Sequence, residues 1–232
     1  IVAADYSQID LRCLAHISRD EMLIDTFNQG VDIHQRTASE IFHVSLEEVT
    51  ADLRRRAKAV NFGIIYGISD FGLARDTGVS RKEARQYIDR YLDSYPGVRA
   101  YMRDIVEFGR KYGYVETVLQ RRRYLPELNA SNRMIQANAQ RMALNTPVQG
   151  SSADIIKLAM IKVDKALKEQ GLQARMLLQV HDELVLEVPN IELEAVARLL
   201  KEAMEGAYQL AVPLEVSVKA GSNWYDMQAL KL

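Results

Sequence analysis

Two groups of residues in this 232-residue chain have types and spacings that could do chemistry. The first is an acidic knot, His181-Asp182-Glu183, set between two apolar runs, Met176–Val180 and Leu184–Val188. Each run is about strand length and rich in Val and Leu, so a β-hairpin is expected with the knot at its tip. Tight hairpins favour Asn-Gly or Asp-Gly, because Gly reaches positive φ at little cost. Here Gly is absent, and two adjacent carboxylates stand where the chain leaves a buried strand. Taken alone, the tip reads equally as a solvated acidic turn or as a functional site where local rules are broken.

The second group lies on residues 51–67, ADLRRRAKAVNFGIIYG. Arg54, Lys58, Phe62 and Tyr66 recur every four residues. Four residues advance a helix by about 400°, so the four side chains form one slightly drifting stripe. A core face would not carry Arg and Lys, and a solvated face would not carry Phe and Tyr. The stripe suits a nucleotide, with cations for phosphates and rings for sugar and base. A boundary helix with snorkelling cations is the plainer alternative. A third candidate is Asp5, which closes the apolar run Ile1–Ala4. The end of a buried strand is a common place for a metal ligand, although a lone Asp there also serves as a cap.

These residues need elements to hold them. After Asp5, Ser7 is a good N-cap for a helix with Ile9, Leu11, Leu14 and Ile17 on its apolar face. Short helices follow over 20–50, with a Ser45/Glu48 capping box; His34 reads as a surface or cap histidine. Another capping box, Ser80 with Glu83, opens a helix to Asp93, and Tyr95-Pro96-Gly97 reads as a turn. Val98–Tyr112 is a helix closed by Gly113, and two short strands flank Gln120-Arg121-Arg122. The Arg121–Arg123 run fits either a phosphate contact or a solvated basic turn. Ser131–Asn145 is helical, Pro147 interrupts it, and Ser152–Gln170 is a separate amphipathic helix. Glu192–Leu210 is a further helix and Pro213–Val218 a last strand. Strand, helices, hairpin, helix, strand implies an α+β fold, an antiparallel sheet interrupted by a helical insertion.

Composition is globular, 48% hydrophobic and 26% charged. The single Cys13 excludes an internal disulfide and fits a reducing cytosol. No signal peptide or apolar run of spanning length is present. The chain begins at Ile1, inside an apolar run, and is expected to come from a longer polypeptide. The net charge of −1 conceals an asymmetry: residues 1–52 balance to −7, 53–141 to +9 and 142–232 to −3. A basic middle between acidic flanks suits a polyanion gripped by one part, or ordinary solvated helix faces.

Three stretches together resemble the bacterial branch of the family A DNA polymerases. DYSQIDLR at 5–12 resembles motif A, RRRAKAVNFGIIYG at 54–67 motif B, and QVHDE at 179–183 motif C. Between them DIH, YPG, GYVET, RRRYLP, NTPVQG and ADIIK also look like the family, in the right order. The resemblance implies a right-hand polymerase: palm at 1–15 and 126–232, helical fingers at 16–125, and the thumb absent from this chain. It implies template-directed addition of dNTPs to a primer 3′-hydroxyl, with two Mg²⁺ ions held by Asp5, Asp182 and the backbone of Tyr6. Glu183 is then auxiliary. Mg²⁺ prefers carboxylate, water and phosphate oxygens, so no Cys/His cluster is needed.

By the same resemblance Arg54 and Lys58 contact the triphosphate with His34 assisting, and Lys58 counts among the catalytic residues. Phe62 packs on the sugar and implies discrimination against dideoxynucleotides. Tyr66 lies beneath the nascent base pair, with Gln8 and Asp10 in the nucleotide site. Arg141, Asn145, Gln149 and His181 are implied contacts to primer–template DNA. Asp10 departs from the family's usual Glu; the shorter side chain implies a looser contact with Tyr66 and weaker exclusion of ribonucleotides. The expected partners are primer–template DNA and dNTP, with upstream thumb and exonuclease-type domains in a parent chain. A monomer in a bacterial cytoplasm is expected, near the nucleoid. A non-catalytic DNA- or nucleotide-binding module and a single-subunit RNA polymerase are the rival readings. Retention of both Asp5 and Asp182 argues against the first.

Overall fold

The computed structural model describes residues 1–232. In chain order the elements are β1 (Val2–Tyr6), α1 (Ile9–Ser18), α2 (Glu21–Asn28), α3 (Ile33–Phe42), α4 (Ala51–Ile65), α5 (Asp70–Thr77), α6 (Arg81–Ser94), α7 (Pro96–Tyr112), β2 (Tyr114–Glu116), β3 (Arg122–Tyr124), α8 (Arg133–Glu169), β4 (Arg175–Val180), β5 (Glu183–Glu187), α9 (Leu193–Glu205), β6 (Val216–Ala220) and β7 (Gln228–Ala229). The chain divides into two compact units, 1–9 with 152–232, and 10–151. No helix is long and apolar enough to cross a membrane.

The first unit is built on a five-stranded antiparallel sheet in the order β4-β5-β1-β6-β7. β1 is central because its residues are small or apolar on both faces: Val2, Ala3, Ala4 and Tyr6 are all buried. β6 alternates, with Val216 and Val218 inward and Ser217 and Lys219 outward. α9 buries Val196, Ala197, Leu199, Leu200 and Met204, one apolar face of a helix. The Tyr6 hydroxyl donates to Met204 O at 2.6 Å and ties the end of β1 to that helix. The expected hairpin is β4–β5, with His181 and Asp182 as its loop. β4, however, is not a buried strand. It is the sheet edge, with Leu177 and Leu178 about half exposed and the pairing register broken between Met176 and Leu178.

The second unit packs helices α1–α7, the first part of α8 and the β2–β3 hairpin. Asp20 organises its start. Its Oδ1 accepts from Leu23 N at 3.1 Å and caps α2, while Oδ2 accepts from Gly97 N and Val98 N at 2.8 and 3.3 Å. One buried carboxylate therefore caps two helices. This is why Pro96, expected in a turn, is instead the first residue of α7, where its missing N–H costs nothing. α1 begins at Ile9, one residue later than the Ser7 cap implied, after Gln8 at φ +54°.

The largest difference from expectation is α8, which runs unbroken from Arg133 to Glu169 through Pro147. Packing around the proline explains this. The Ser151 hydroxyl donates to Pro147 O at 2.5 Å and accepts from Val118 N at 3.0 Å. A Cβ on Gly150 would stand 2.6 Å from Thr117 Cγ2, so the helix lies flush on the turn after β2. Tertiary contacts outweigh the proline's cost to the helix.

Candidate nucleotidyl-transfer residues

The sheet gathers the acidic residues. Asp5 pairs with Glu183 across β1–β5, and Tyr6 N donates to Asp182 O at 3.2 Å. The carboxyl of Asp5 is half-buried, and its pKa is pushed up to about 6, first by burial and then by the charges of Asp182 and Glu183. Lys219, on the neighbouring strand β6, pulls the other way. The hairpin tip holds its shape through Gln179 Nε2, which donates to His181 O at 2.6 Å, and His181 sits at φ +52°. Left-handed backbone in a non-glycine residue marks a place where local structure is overruled.

The charges of Asp182 and Glu183 work against ionised Asp5, a repulsion that a hard divalent cation would relieve. No set of three His, Cys, Asp or Glu side chains stands together at ligand spacing anywhere in the chain. Mg²⁺ does not require one, since it retains waters and takes phosphate oxygens alongside one or two carboxylates. Asp5 and Asp182, with a backbone oxygen at Tyr6, are the groups that could hold such an ion.

The raised pKa of Asp5 has a measurable outcome in the metal-free chain. The folded state binds this proton more tightly than an unfolded chain with the ordinary value of 3.8. The stabilisation from protonated Asp5 is therefore present at low pH and lost as pH rises from about 4 to about 6. With chelator present, Asp5→Asn is expected to gain in Tm over the wild type across that window. Parallel Tm–pH curves would contradict it.

In the second unit, the stripe stands on α4 as its spacing predicts. Thr50 caps the helix, accepting from Leu53 N, and Ala57, Val60, Asn61 and Ile64 form the buried face. The Phe62 and Tyr66 rings stack with centroids 6.4 Å apart and planes 18° off parallel. Lys58 Nζ is 5.9 Å from the Phe62 ring centre, within cation–π range. Arg54 bonds Asp32 at 2.6 Å, Nη2 to Oδ2. Asp32 also caps α3 by accepting from Gln35 N. Burial alone would raise the Asp32 pKa, but the bonds from Arg54 and Gln35 outweigh it and hold it below the usual carboxylate range.

His34 is neither the surface nor the cap histidine its position implied, since Asp32 caps the helix. It is 2% exposed, its ring is 5.8 Å from that of Phe62, and Nδ1 lies 3.0 Å from Asn61 Nδ2. Burial, reinforced by Arg54 and Lys58 against the opposing charge of Asp32, lowers its pKa to about 4. The Tyr66 hydroxyl donates to Asp10 Oδ2 at 3.4 Å, beyond the usual length for an O–H donor. Past the helix end, Gly67 at φ +63° lies against Arg141, whose Cγ would be 3.1 Å from an added Cβ. Arg141, Asn145 and Gln149 follow at four-residue steps along α8; Arg141 and Gln149 are exposed, and Asn145 keeps a buried Oδ1 without a partner.

Three residues escaped the sequence reading. Lys219 lies far along the chain and gave no signal. Asp32 could have been found as a carboxylate just before a helix. Asn61 could have been found as the one amide on an otherwise apolar helix face.

Comparisons with known proteins agree on one family. The family described as DNA polymerase family A matches residues 1–226. DNA polymerase I of Bacillus caldotenax and that of Bacillus subtilis are each 57% identical over 226 residues, covering 97% of this chain and 26% of theirs. The chain thus spans about a quarter of the length of these curated relatives. A solved structure, the POL domain of Pol1 from M. smegmatis in complex with DNA primer-template and dNTP, matches with a TM-score of 0.92 and 53% identity. It covers 96% of this chain and 39% of that one. The α+β architecture is that of a polymerase domain, and the chain belongs to DNA polymerase family A.

Proposed function

We propose that this chain carries the palm and fingers of a template-directed DNA polymerase that adds dNTPs to a primer 3′-hydroxyl. The observation that carries the reading is the register that sets Asp5 against Glu183 beside Asp182, three carboxylates at the ends of neighbouring strands. The complex of the M. smegmatis relative with primer-template and dNTP supports it. In this reading the sheet unit is palm, and the helical unit contains the fingers. The finer division drawn from the sequence, palm at 1–15 and 126–232 with fingers at 16–125, belongs to the same proposal.

The reaction forms a bond between the primer oxygen and the α-phosphorus and breaks the bond to pyrophosphate. Two Mg²⁺ ions, when bound, supply Lewis-acid stabilisation of the charge on the attacking and leaving oxygens. Asp5, Asp182 and the Tyr6 backbone would hold them, with Glu183 in support. Arg54 and Lys58 bind the triphosphate and neutralise charge on it, with neutral His34 donating one further hydrogen bond. Phe62 and Tyr66 offer a flat stacked surface to sugar and base. Gln8 and Asp10 line the nucleotide site. Arg141, Asn145, Gln149 and His181 hold primer–template by its backbone and the shape of the pair, so binding weakens as salt rises.

The test is single-nucleotide extension of a primed template with Mg²⁺, first with dNTPs and then with rNTPs, with Asp182→Ala as the blank. Extension with dNTPs that the blank lacks supports the proposal. Binding of primed DNA without extension would leave only a binding module, and a preference for rNTPs would favour an RNA polymerase. The same assay tests the long Asp10–Tyr66 contact. Asp10→Glu, one methylene longer, is expected to tighten it and lower rNTP use relative to dNTP about tenfold. Equal discrimination by the two enzymes would refute this.

A further inference from the structure

A buried chain of hydrogen bonds leads from Tyr95 to His34. Tyr95 OH is 3.1 Å from Thr37 Oγ1, Thr37 Oγ1 is 3.1 Å from Asn61 Oδ1, and Asn61 Nδ2 is 3.0 Å from His34 Nδ1. Tyr95, Thr37 and Asn61 are fully buried and His34 nearly so. Each hydroxyl has one proton to give. Two directions of donation can run along the chain. In one, Tyr95 donates to Thr37, Thr37 donates to Asn61 Oδ1, and the Asn61 amide donates to His34 Nδ1. In the other, the amide is turned over: His34 Nδ1–H donates to Asn61, Asn61 to Thr37, and Thr37 to Tyr95.

The two directions are not equivalent. The second leaves the Tyr95 O–H proton pointing into the interior, where no second acceptor meets that hydroxyl. Buried polar groups rarely go unpaired, so the first direction prevails. It leaves His34 Nδ1 as an acceptor and puts the ring proton on Nε2. We infer that Asn61 is a positioning residue, locking His34 as the Nε2–H tautomer so that it offers a triphosphate a donor rather than a lone pair. The inference rests on the proposed nucleotide-binding role of α4.

The charged groups facing His34 agree with it. Arg54 and Lys58 on α4 disfavour an imidazolium, Asp32 before α3 favours one, and burial decides for the neutral ring. A neutral imidazole has a single N–H. If it sat on Nδ1, the ring would present a lone pair to anionic oxygens and repel them. The amide of Asn61 thus determines whether His34 helps or hinders.

The test uses the chain labelled with ¹⁵N-histidine. Ring ¹⁵N shifts distinguish the tautomers, and His34→Ala identifies the His34 signals among four histidines. The expected result is a single Nε2–H tautomer in the wild type between about pH 5.5 and 8. Asn61→Leu and the milder Thr37→Val are expected to give a mixture of tautomers. Calorimetric titration with Mg²⁺–dTTP is expected to show about tenfold weaker binding for Asn61→Leu and His34→Ala, the scale of one hydrogen bond to a charged group. An Nδ1–H tautomer, or a mixture, in the wild type overturns the lock, and that spectrum needs no variant to fold. An Nε2–H wild type whose dTTP affinity survives His34→Ala would instead overturn the triphosphate reading.

Discussion

If the proposed reading holds, Asp182→Ala is expected to lower primer extension about a thousandfold, because it removes a proposed ligand of an ion that would supply several kcal/mol of transition-state charge stabilisation, at about 1.4 kcal/mol per factor of ten. The fold should survive. Asp182 lies in the two-residue loop, and the pairings on either side of it, Val180 with Glu183 and Asp5 with Glu183, are made by backbone. The substitution also has a signature independent of activity. Asp182 is the largest charge contribution holding the Asp5 pKa near 6, so in the variant Asp5 should titrate lower, at a value NMR can read. Burial still acts on it, so the return to 3.8 should be partial. Glu183→Gln should cost extension far less if that residue only assists. Extension by Asp182→Ala within a few-fold of wild type would remove the carboxylate cluster from the chemistry.

The second large effect is on stability and lies away from the stripe. Asp20→Ala removes the cap of α2 and strips two N–H groups of α7 of their acceptor, all at a site 2% exposed. A lost cap costs about 1 kcal/mol and buried unpaired N–H groups about 1–3 kcal/mol more, so about 3 kcal/mol in all is expected. Urea unfolding followed by far-UV circular dichroism would show it as a lower midpoint at unchanged slope. Asp20→Asn keeps one carbonyl acceptor and should lose less. Gly97→Ala should rival the alanine at 20, since its Cβ would stand 2.7 Å from Asp20 Cα and backbone has little room to yield. A midpoint for Asp20→Ala close to that of the wild type would show that water replaces the carboxylate at both helix ends.

What could be read from sequence was what repeats at short range. The four-residue step of Arg54, Lys58, Phe62 and Tyr66 specified a stripe because helix geometry is local, and the stripe is there. The hairpin, both capping boxes and the Gly113 helix stop were legible for the same reason. The misses depend on residues distant in the chain. Asp20 gave no sign of capping a helix that begins at Pro96. His34 looked like a surface histidine until α4 covered it with Asn61 and Phe62. Pro147 read as a helix break, because the contacts that carry α8 through it come from residues 117 and 118.

The register break in β4 bears on how this chain behaves in company. β4 is the last strand of its sheet, and an edge presents a row of backbone groups to any other strand that approaches. With Leu177 and Leu178 about half exposed, that edge has the makings of a template for self-association. Between Met176 and Leu178 the ladder slips by a residue, which interrupts the flat run a second strand would need. The irregularity therefore works as a guard, and a deletion at Leu177 that straightened the edge is expected to bring on concentration-dependent aggregation.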